Sequence, residues 1–359
     1  MQALSTLGPE LPCKAVLYPC HDQAVGLVSE HRSSLTDWYH MVLAGDEVIE
    51  TLSDKRRFYA FASAQGVAVP QTFILRSPED AEQAANELRF PCVVKPVRRS
   101  VVWDAHTMSK AFRAEDRDEL LAIYERVADW TPALMAQQWI MGTDADLYSC
   151  NCYYDRHGRL AASFVARKLR QWPPRVGSSC LGEECRNDVV LEAALRIFDN
   201  IGYVGLGYVE MKRDARTGEH YAIEANIGRP TGRSAIAEAG GVEMLYAMYC
   251  DALDLPLPAE LRQKYLGVKW IDLRHDIQSA VYYLRKRELT LVDWYRSWRG
   301  PKAYAVFSWS DPKPFWADLW RAMGILTSRK ERALRRHNVS AGPAKTAPTS
   351  TESREDVGT

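Results

Sequence analysis

Residues 207–230 read GYVEMKRDARTGEHYAIEANIGRP. Two apolar stretches, 205–213 and 220–225, flank a turn at 214–218 rich in charge and glycine, which predicts an antiparallel hairpin. Glu210 lies among apolar residues on the outgoing strand, and Glu224 and Asn226, two apart on the returning strand, share one face. A register that sets Glu210 beside them gathers two carboxylates and an amide oxygen. Such an all-oxygen group suits Mg²⁺ (or Mn²⁺), which keeps several waters and takes its other ligands from substrate phosphates. The competing reading makes both glutamates ordinary solvent-facing strand residues.

Upstream, two lysines stand inside apolar strands. Lys95 follows Pro91-Cys92-Val93-Val94 and precedes Pro96. Lys168 stands near the end of a second hairpin, 146–154 and 159–169 around the turn 155–158, with Arg167 and Arg170 beside it. A strand lysine ordinarily runs its stem along apolar surface and puts the ammonium in water. Two of them upstream of an acidic hairpin also fit a triphosphate clamp, with cations on the phosphate oxygens and Mg²⁺ bridging them.

Strand and helix signals alternate from residue 14 to about 310, which predicts a mixed α/β (α+β) protein. Strands are expected at 14–18, 69–75, 92–97 and 133–140. Helical text runs on to Tyr39 after the first strand. Further helices are expected after Asp54, with Gly66 as stop, after Ser77-Pro78-Glu79, over 116–129 and 187–201, and from Gly241 to near Leu253.

Taken in order, Asp54-Lys55, PCVVKP (91–96), QQWIMGTDADLYS (137–149), ARKLRQWPP (166–174), GYVEMKRD (207–214) and YAIEANIGRP (221–230) resemble the ATP-grasp superfamily. The likeness spans roughly residues 14–255. Within the superfamily, which includes the carbamoyl phosphate synthetase large subunit, it looks closest to bacterial carboxylate–amine ligases such as D-aspartate ligase. The resemblance implies two α+β lobes clasping ATP. It implies an ATP-dependent ligase that activates a carboxylate as an acyl phosphate and joins it to an amine, both small-molecule substrates; the alternatives are a catalytically weak module of the same fold acting as a nucleotide-binding scaffold, or a ligase with a non-amine acceptor.

It also implies a role for each matching residue. Lys55, Lys95 and Lys168 would contact the phosphates. Gln137, Gln138, Trp139 and Ile140 resemble the hinge between lobes, where backbone groups and Gln137 meet adenine and Trp139 and Ile140 line the ring. Asp146 resembles the acid on the ribose hydroxyls, with Asp144 a second candidate. Glu210, Glu224 and Asn226 resemble the Mg²⁺ ligands, and Arg229 the arginine that stabilises the acyl phosphate and its tetrahedral successor. Arg170, Arg233 and Ser234 are candidate contacts for the carboxylate substrate, because guanidinium groups match carboxylates bidentately. The alternative for the arginines is a surface loop. Gly228 and Gly232 would let the backbone approach the phosphates.

The pattern departs from the family at two places. Arg98-Arg99-Ser100-Val101-Val102-Trp103 stands where a glycine-rich phosphate loop is expected. Residues 1–53 read as a partial, truncated Rossmann-like lobe. Residues 54–260 then form the ATP-grasp domain (lobes 54–136 and 137–260), 261–338 a Trp-rich helical extension, and 339–359 a disordered tail. Trp294, Trp298, Trp309, Trp316 and Trp320 are read as core packing of the extension. Residues 329–336 are basic, fitting either a solvated helix or contact with an anionic membrane surface or partner.

Lys plus Arg equals Asp plus Glu at 46 each, which removes the electrostatic signature of a nucleic-acid binder. No apolar run approaches the ~18 residues of a membrane span, and no signal peptide is legible, so a cytoplasmic protein is expected. A homodimer is the ordinary expectation for a soluble enzyme. The eight cysteines read as reduced thiols, with Cys20, Cys92 and Cys250 buried. Cys150, Cys152 and a loop pair, Cys180 and Cys185, match no standard zinc spacing. His21, His106 and His157 carry no catalytic context.

Overall fold

A computed structural model describes residues 1–97, 100–107, 109, 111–175 and 177–321, with only the backbone at Arg233. Residues 1–305 form one compact unit, and a second begins at Val306. In the first unit β1 (Ala15–Val16) and β2 (Tyr39–His40) pair in parallel. The strands β3 (Thr72–Leu75), β4 (Cys92–Pro96), β5 (Phe112–Ala114) and β6 (Leu134–Gln138) make an antiparallel sheet in the order β3-β6-β4-β5. A larger sheet follows, built from β7 (Leu147–Tyr154), β8 (Leu160–Trp172), β9 (Ser178–Glu184), β10 (Gly205–Arg213), β11 (His220–Ile227), β12 (Lys269–Ile271) and β13 (Lys302–Tyr304). Its order is β11-β10-β7-β8-β9-β12-β13, and β12–β13 is its one parallel pair among the described residues.

The helices begin where short polar side chains can accept orphan backbone amides. Asp54 accepts from Arg56 and Arg57 ahead of helix Lys55–Ala64. Ser77 and Asp80 form a reciprocal capping box on Pro78–Glu87. Asp116 and Asn187 cap Arg117–Val127 and Asp188–Asn200. Each such cap contributes about 1 kcal/mol. Over the four-stranded sheet, Ala81, Ala84 and Ala85 form the buried face of Pro78–Glu87 and pack with Leu120, Val127, Val94 and Ala136 around the fully enclosed Trp103. Small alanines let that helix lie close. Against the larger sheet, Val190, Ala194, Ile197 and Phe198 of Asp188–Asn200 bury Cys150, Cys152, Val209 and Tyr154. The N-terminal segment joins this core through Val25, Val28 and Leu43.

Several expectations need correction. Tyr39 closes no helix but begins β2. Cys180 lies inside β9 rather than in a loop, Cys185 directly follows it, and burial pushes both thiols up to about 12. Cys20 is exposed, whereas Cys92 and Cys250 are buried. Past residue 260, β12 continues the large sheet beside β9 and the helix Leu273–Arg285 packs on β8. Trp294 and Trp298 are tied into this first unit, while Trp309, Trp316 and Trp320 of the second are 89%, 53% and 70% exposed. Among the described residues those three form no core. The basic stretch at 329–336, the tail, and Arg98 and Arg99 lie outside the described residues. Among the described residues no helix is long and apolar enough to cross a membrane.

Candidate active site

The hairpin's register answers the question its sequence left open. Glu210 of β10 pairs directly with Glu224 of β11, with Asn226 two residues on. Cross-strand partners lie about 5 Å apart at Cβ, so two like charges face each other at a spacing that is unfavourable unless cations intervene. Cations do intervene. Lys168 Nζ sits 3.0 Å from Glu210 Oε2, a nearly enclosed pair. Lys55 Nζ, from the first turn of helix Lys55–Ala64, sits 3.6 Å from Glu224 Oε2 across a more exposed gap. Asn226 Nδ2 donates to Glu224 Oε1 at 3.1 Å.

These side chains line a cleft of about 1060 Å³ whose walls come from both larger sheets. Lys95 reaches in from β4 and donates to Gln137 Oε1 at 2.9 Å; Gln137 Nε2 in turn donates to Thr72 Oγ1 at 3.0 Å. Burial, with Lys55 nearby, pushes Lys95 down to about 8 against the opposing pull of Glu224. Gln138, Trp139, Ile140 and Leu147 continue the wall where the chain passes from β6 to the large sheet. The cleft is lined by Lys55, Lys95, Lys168, Lys212, Arg175 and Arg229 against the carboxylates Glu210, Glu224 and Asp272. Such a surplus of cations favours a polyanion electrostatically.

Arg229 is held by Asp22 of the N-terminal segment, Nε to Oδ1 at 2.6 Å and Nη2 to Oδ2 at 3.2 Å, and by Asn226 Oδ1 at 2.8 Å. Gly228 before it takes φ +68°, and a Cβ there would lie 2.5 Å from Leu43 Cδ1. This glycine therefore serves a left-handed turn packed on the N-terminal segment. Gly232, by contrast, lines the cleft against the Trp270 ring.

Four candidate residues are not among those lining the cleft. Arg170 does not line the cleft. Register shifts flank it on β8, and its guanidinium is taken up by Asp276, whose Oδ1 accepts from Nε at 2.6 Å. Asp146 is committed to a reciprocal cap with Thr143 and to Arg213 Nη2 at 2.8 Å. Burial pushes Asp146 up, but the Thr143 amide and hydroxyl and the Arg213 guanidinium together outweigh it, and the carboxyl ends below the usual range. Asp144 accepts from Gln171 and from the Tyr283 hydroxyl at 2.7 Å, away from the lining. Ser234 Oγ accepts from the Thr231 amide at 3.2 Å. For Arg233 only the backbone is described.

The sequence reading missed Asp22, Tyr208, Lys212 and Gln171. Tyr208 and Lys212 bracket Glu210 at two-residue spacing and face the cleft with it. Lys212 Nζ lies 5.1 Å from the centre of the Trp139 ring. It also missed the residues from β12 onward, Trp270, Asp272 and His275, which form one end of the cleft.

The donors present fit a hard divalent cation of one kind. Among the described residues no three His, Cys, Asp or Glu side chains converge to hold a metal unaided. Two paired carboxylates and an amide oxygen supply half a shell, which suits Mg²⁺ shared with phosphate oxygens. The Cys150 and Cys152 sulfurs approach to 3.7 Å in a sealed interior with no third ligand.

No family model matches the chain. It is 24% identical over 233 residues to a D-aspartate ligase of Enterococcus faecium, covering 62% of this chain and 54% of that protein. It is 28% identical over 208 residues to a D-alanine–D-alanine ligase of Methylococcus capsulatus, covering 53% and 62%. The chain thus spans little more than half the length of these relatives. Among solved structures, an N5-carboxyaminoimidazole ribonucleotide synthetase in its ADP complex matches with a TM-score of 0.57 at 15% identity, over 79% of this chain and 71% of that one. An L-amino acid ligase from Bacillus licheniformis matches at 0.52 and 16%, over 73% and 62%. A biotin carboxylase domain dimer of Hydrogenobacter thermophilus 2-oxoglutarate carboxylase, bound to MgADP and bicarbonate, matches at 0.55 and 17%, over 73% and 58%.

Proposed function

We propose that this chain, which has the ATP-grasp fold, is an ATP-dependent ligase that joins a small-molecule carboxylate to an amine through an acyl phosphate, releasing ADP and phosphate. The observation that carries the reading is the directly paired Glu210 and Glu224 with Lys168 and Lys55 upon them, in a cleft rich in further cations. The named activities of the sequence relatives, both ligases, support it.

In this reading Trp139, Ile140 and Leu147 sandwich adenine beside Gln138, and Gln137 holds Lys95 toward the phosphates rather than reading the base. Lys55, Lys95 and Lys168 exchange their glutamate and amide partners for phosphate oxygens as the nucleotide enters. Such preset charges stabilise a transferring phosphoryl group without reorganisation. Glu210, Glu224 and Asn226 would hold Mg²⁺ or Mn²⁺, which neutralises charge on the phosphates when bound. Arg229 turns from Asp22 to the carboxylate that becomes the acyl phosphate. No covalent nucleophile on the protein is required. A homodimer remains the proposed assembly, in keeping with the dimer described for the carboxylase domain.

The test is ADP release with Mg²⁺-ATP against a panel of carboxylates and amines. Release that needs an acid and rises with a particular amine is expected. ATP binding with no acid-dependent turnover would sink the ligase reading.

Lys95 makes a second, pH-dependent test. A phosphate at its ammonium favours the charged form, so ATP affinity should hold up to about pH 8 and then weaken, by at most about tenfold per pH unit. Calorimetry in buffers of different ionisation heat should show proton uptake on binding in that range, and Lys95→Met should abolish it. For folding the sign is opposite: an unfolded lysine keeps the proton that folded Lys95 sheds above about 8. Stability therefore gains from this group as pH climbs from there toward the unfolded value of 10.5.

A further inference from the structure

The end of the cleft formed by β12 and the helix Leu273–Arg285 holds a carboxylate–imidazole pair that the phosphate-binding apparatus does not use. Asp272 Oδ2 and His275 Nδ1 lie 2.7 Å apart. Asp272 is itself fixed twice. Its backbone amide donates to Cys180 O of β9 at 2.8 Å, and its Oδ1 accepts the His275 amide as the helix cap. The imidazole lies nearly parallel to the Trp172 ring, at 18° with centroids 6.5 Å apart. Both rings line the cleft, and the His275 side chain keeps 30% of its surface exposed.

A capping aspartate with a polar residue three positions on is a common way to start a helix, and that alone would ask nothing of His275. Two facts go further. The pair opens onto the same cavity as Lys168, Glu210 and Arg229. In addition, Trp270, two residues before Asp272, brings its ring close to Gly232, three residues past Arg229. With the proton of the neutral ring on Nδ1 and given to Asp272, the lone pair sits on Nε2, the arrangement of a general base oriented by a carboxylate.

We propose that His275, held by Asp272, is the base that deprotonates the incoming amine. The inference rests on the ligase reading above. An amine substrate is an ammonium ion at neutral pH and has no lone pair with which to attack. His275 Nε2 takes one proton from the ammonium and becomes imidazolium, and the freed lone pair forms the new C–N bond at the acyl carbon. The bond between the acyl carbon and the bridging oxygen then breaks, and the departing phosphate keeps that oxygen and carries off the second proton as HPO₄²⁻. Imidazolium returns its proton to solvent. One carboxylate, one ammonium and one ATP thus give amide, ADP, HPO₄²⁻ and one solvent proton. Asp272 acts as a positioning residue.

The experiment compares two acceptors in wild type, His275→Gln and Asp272→Asn, using the carboxylate that the ADP-release panel identifies. Hydroxylamine is largely unprotonated at neutral pH and needs no base to attack an acyl phosphate, whereas the ammonium substrate does. Amide formation should fall by about 10²-fold in His275→Gln, with hydroxamate formation changed far less. Asp272→Asn keeps a helix-capping side chain and should show the same split in milder form. Added imidazole should restore part of the amide rate to His275→Ala.

Equal loss with both acceptors in both variants would reduce His275 to a structural part and overturn the proposal. So would a wild type that makes hydroxamate but no amide from any ammonium in the panel. A wild type that makes neither product removes the ligase reading itself, which the wild-type hydroxamate assay reports independently of the variants.

Discussion

Glu224→Gln is expected to lower ADP release by about 10²–10³-fold, with little change in thermal unfolding. The substitution preserves shape and hydrogen-bonding capacity and deletes one negative charge. Its neighbours are Asn226 Nδ2 at 3.1 Å and Lys55 Nζ at 3.6 Å, both at partly exposed positions, so the fold loses little. The cleft loses one of the two carboxylates that could share a divalent cation with the phosphates. Nucleotide affinity without Mg²⁺ should hold or tighten, because the cation surplus grows, while the stimulation of binding by Mg²⁺ should collapse. Titrating ATP with and without the metal, beside the ADP assay, checks both halves. Turnover within tenfold of wild type would remove Glu224 from the proposed metal site. Glu210→Gln should behave differently, because it strands Lys168 in a nearly enclosed position and so costs stability as well as turnover.

The parts of this site that were legible in the sequence are those that short-range periodicity controls. The 207–230 hairpin announced itself through alternation and a glycine-containing turn, and Asp54, Ser77, Asp116 and Asn187 marked helix starts by chemistry that acts within a few residues. Register is a longer-range property. That Glu210 faces Glu224 depends on the turn and on a shift after Glu210 that no local signal reports. Arg170 shows the same limit from the other side. Its two-residue spacing from Lys168 implies one face in a regular strand, but β8 is irregular there, and Lys168 lines the cleft while Arg170 does not.

Asp146 carries a second signal that the sequence also held. Thr143-Asp144-Ala145-Asp146 has the spacing of a reciprocal cap, and the structure uses it as one. His275 lies beyond the stretch that resembles the family, so only the spacing Asp272-x-x-His275 marked it. That spacing by itself speaks of a helix start. The tryptophans were visible as apolar mass, but the buried carboxylate that two of them serve, Asp276, could be found only in three dimensions.

That carboxylate gives the largest expected effect on stability. Asp276→Ala should destabilise the folded chain by about 3–5 kcal/mol, the range for breaking a buried ion pair from one side. Asp276 is fully enclosed and accepts from Arg170 Nε at 2.6 Å and Nη2 at 3.1 Å, from Trp294 Nε1 at 3.1 Å and from Trp298 Nε1 at 2.7 Å. Its removal leaves Arg170, itself 4% exposed, bonded to Ser297 Oγ at 2.9 Å without a carboxylate to balance it, and strands two indole N–H groups. The denaturant midpoint of the variant should drop accordingly, with the m-value unchanged if the denatured state is unaltered. Arg170→Met combined with Asp276→Leu should recover much of the loss, because the cost of one-sided removal is mostly the uncompensated charge rather than the worth of the pair. If Arg170 instead served the carboxylate substrate, the double variant would fold well and fail to turn over. The geometry predicts the reverse order of damage: Asp276→Ala unstable and impaired, and the double variant stable, with acid-dependent ADP release returning alongside its fold.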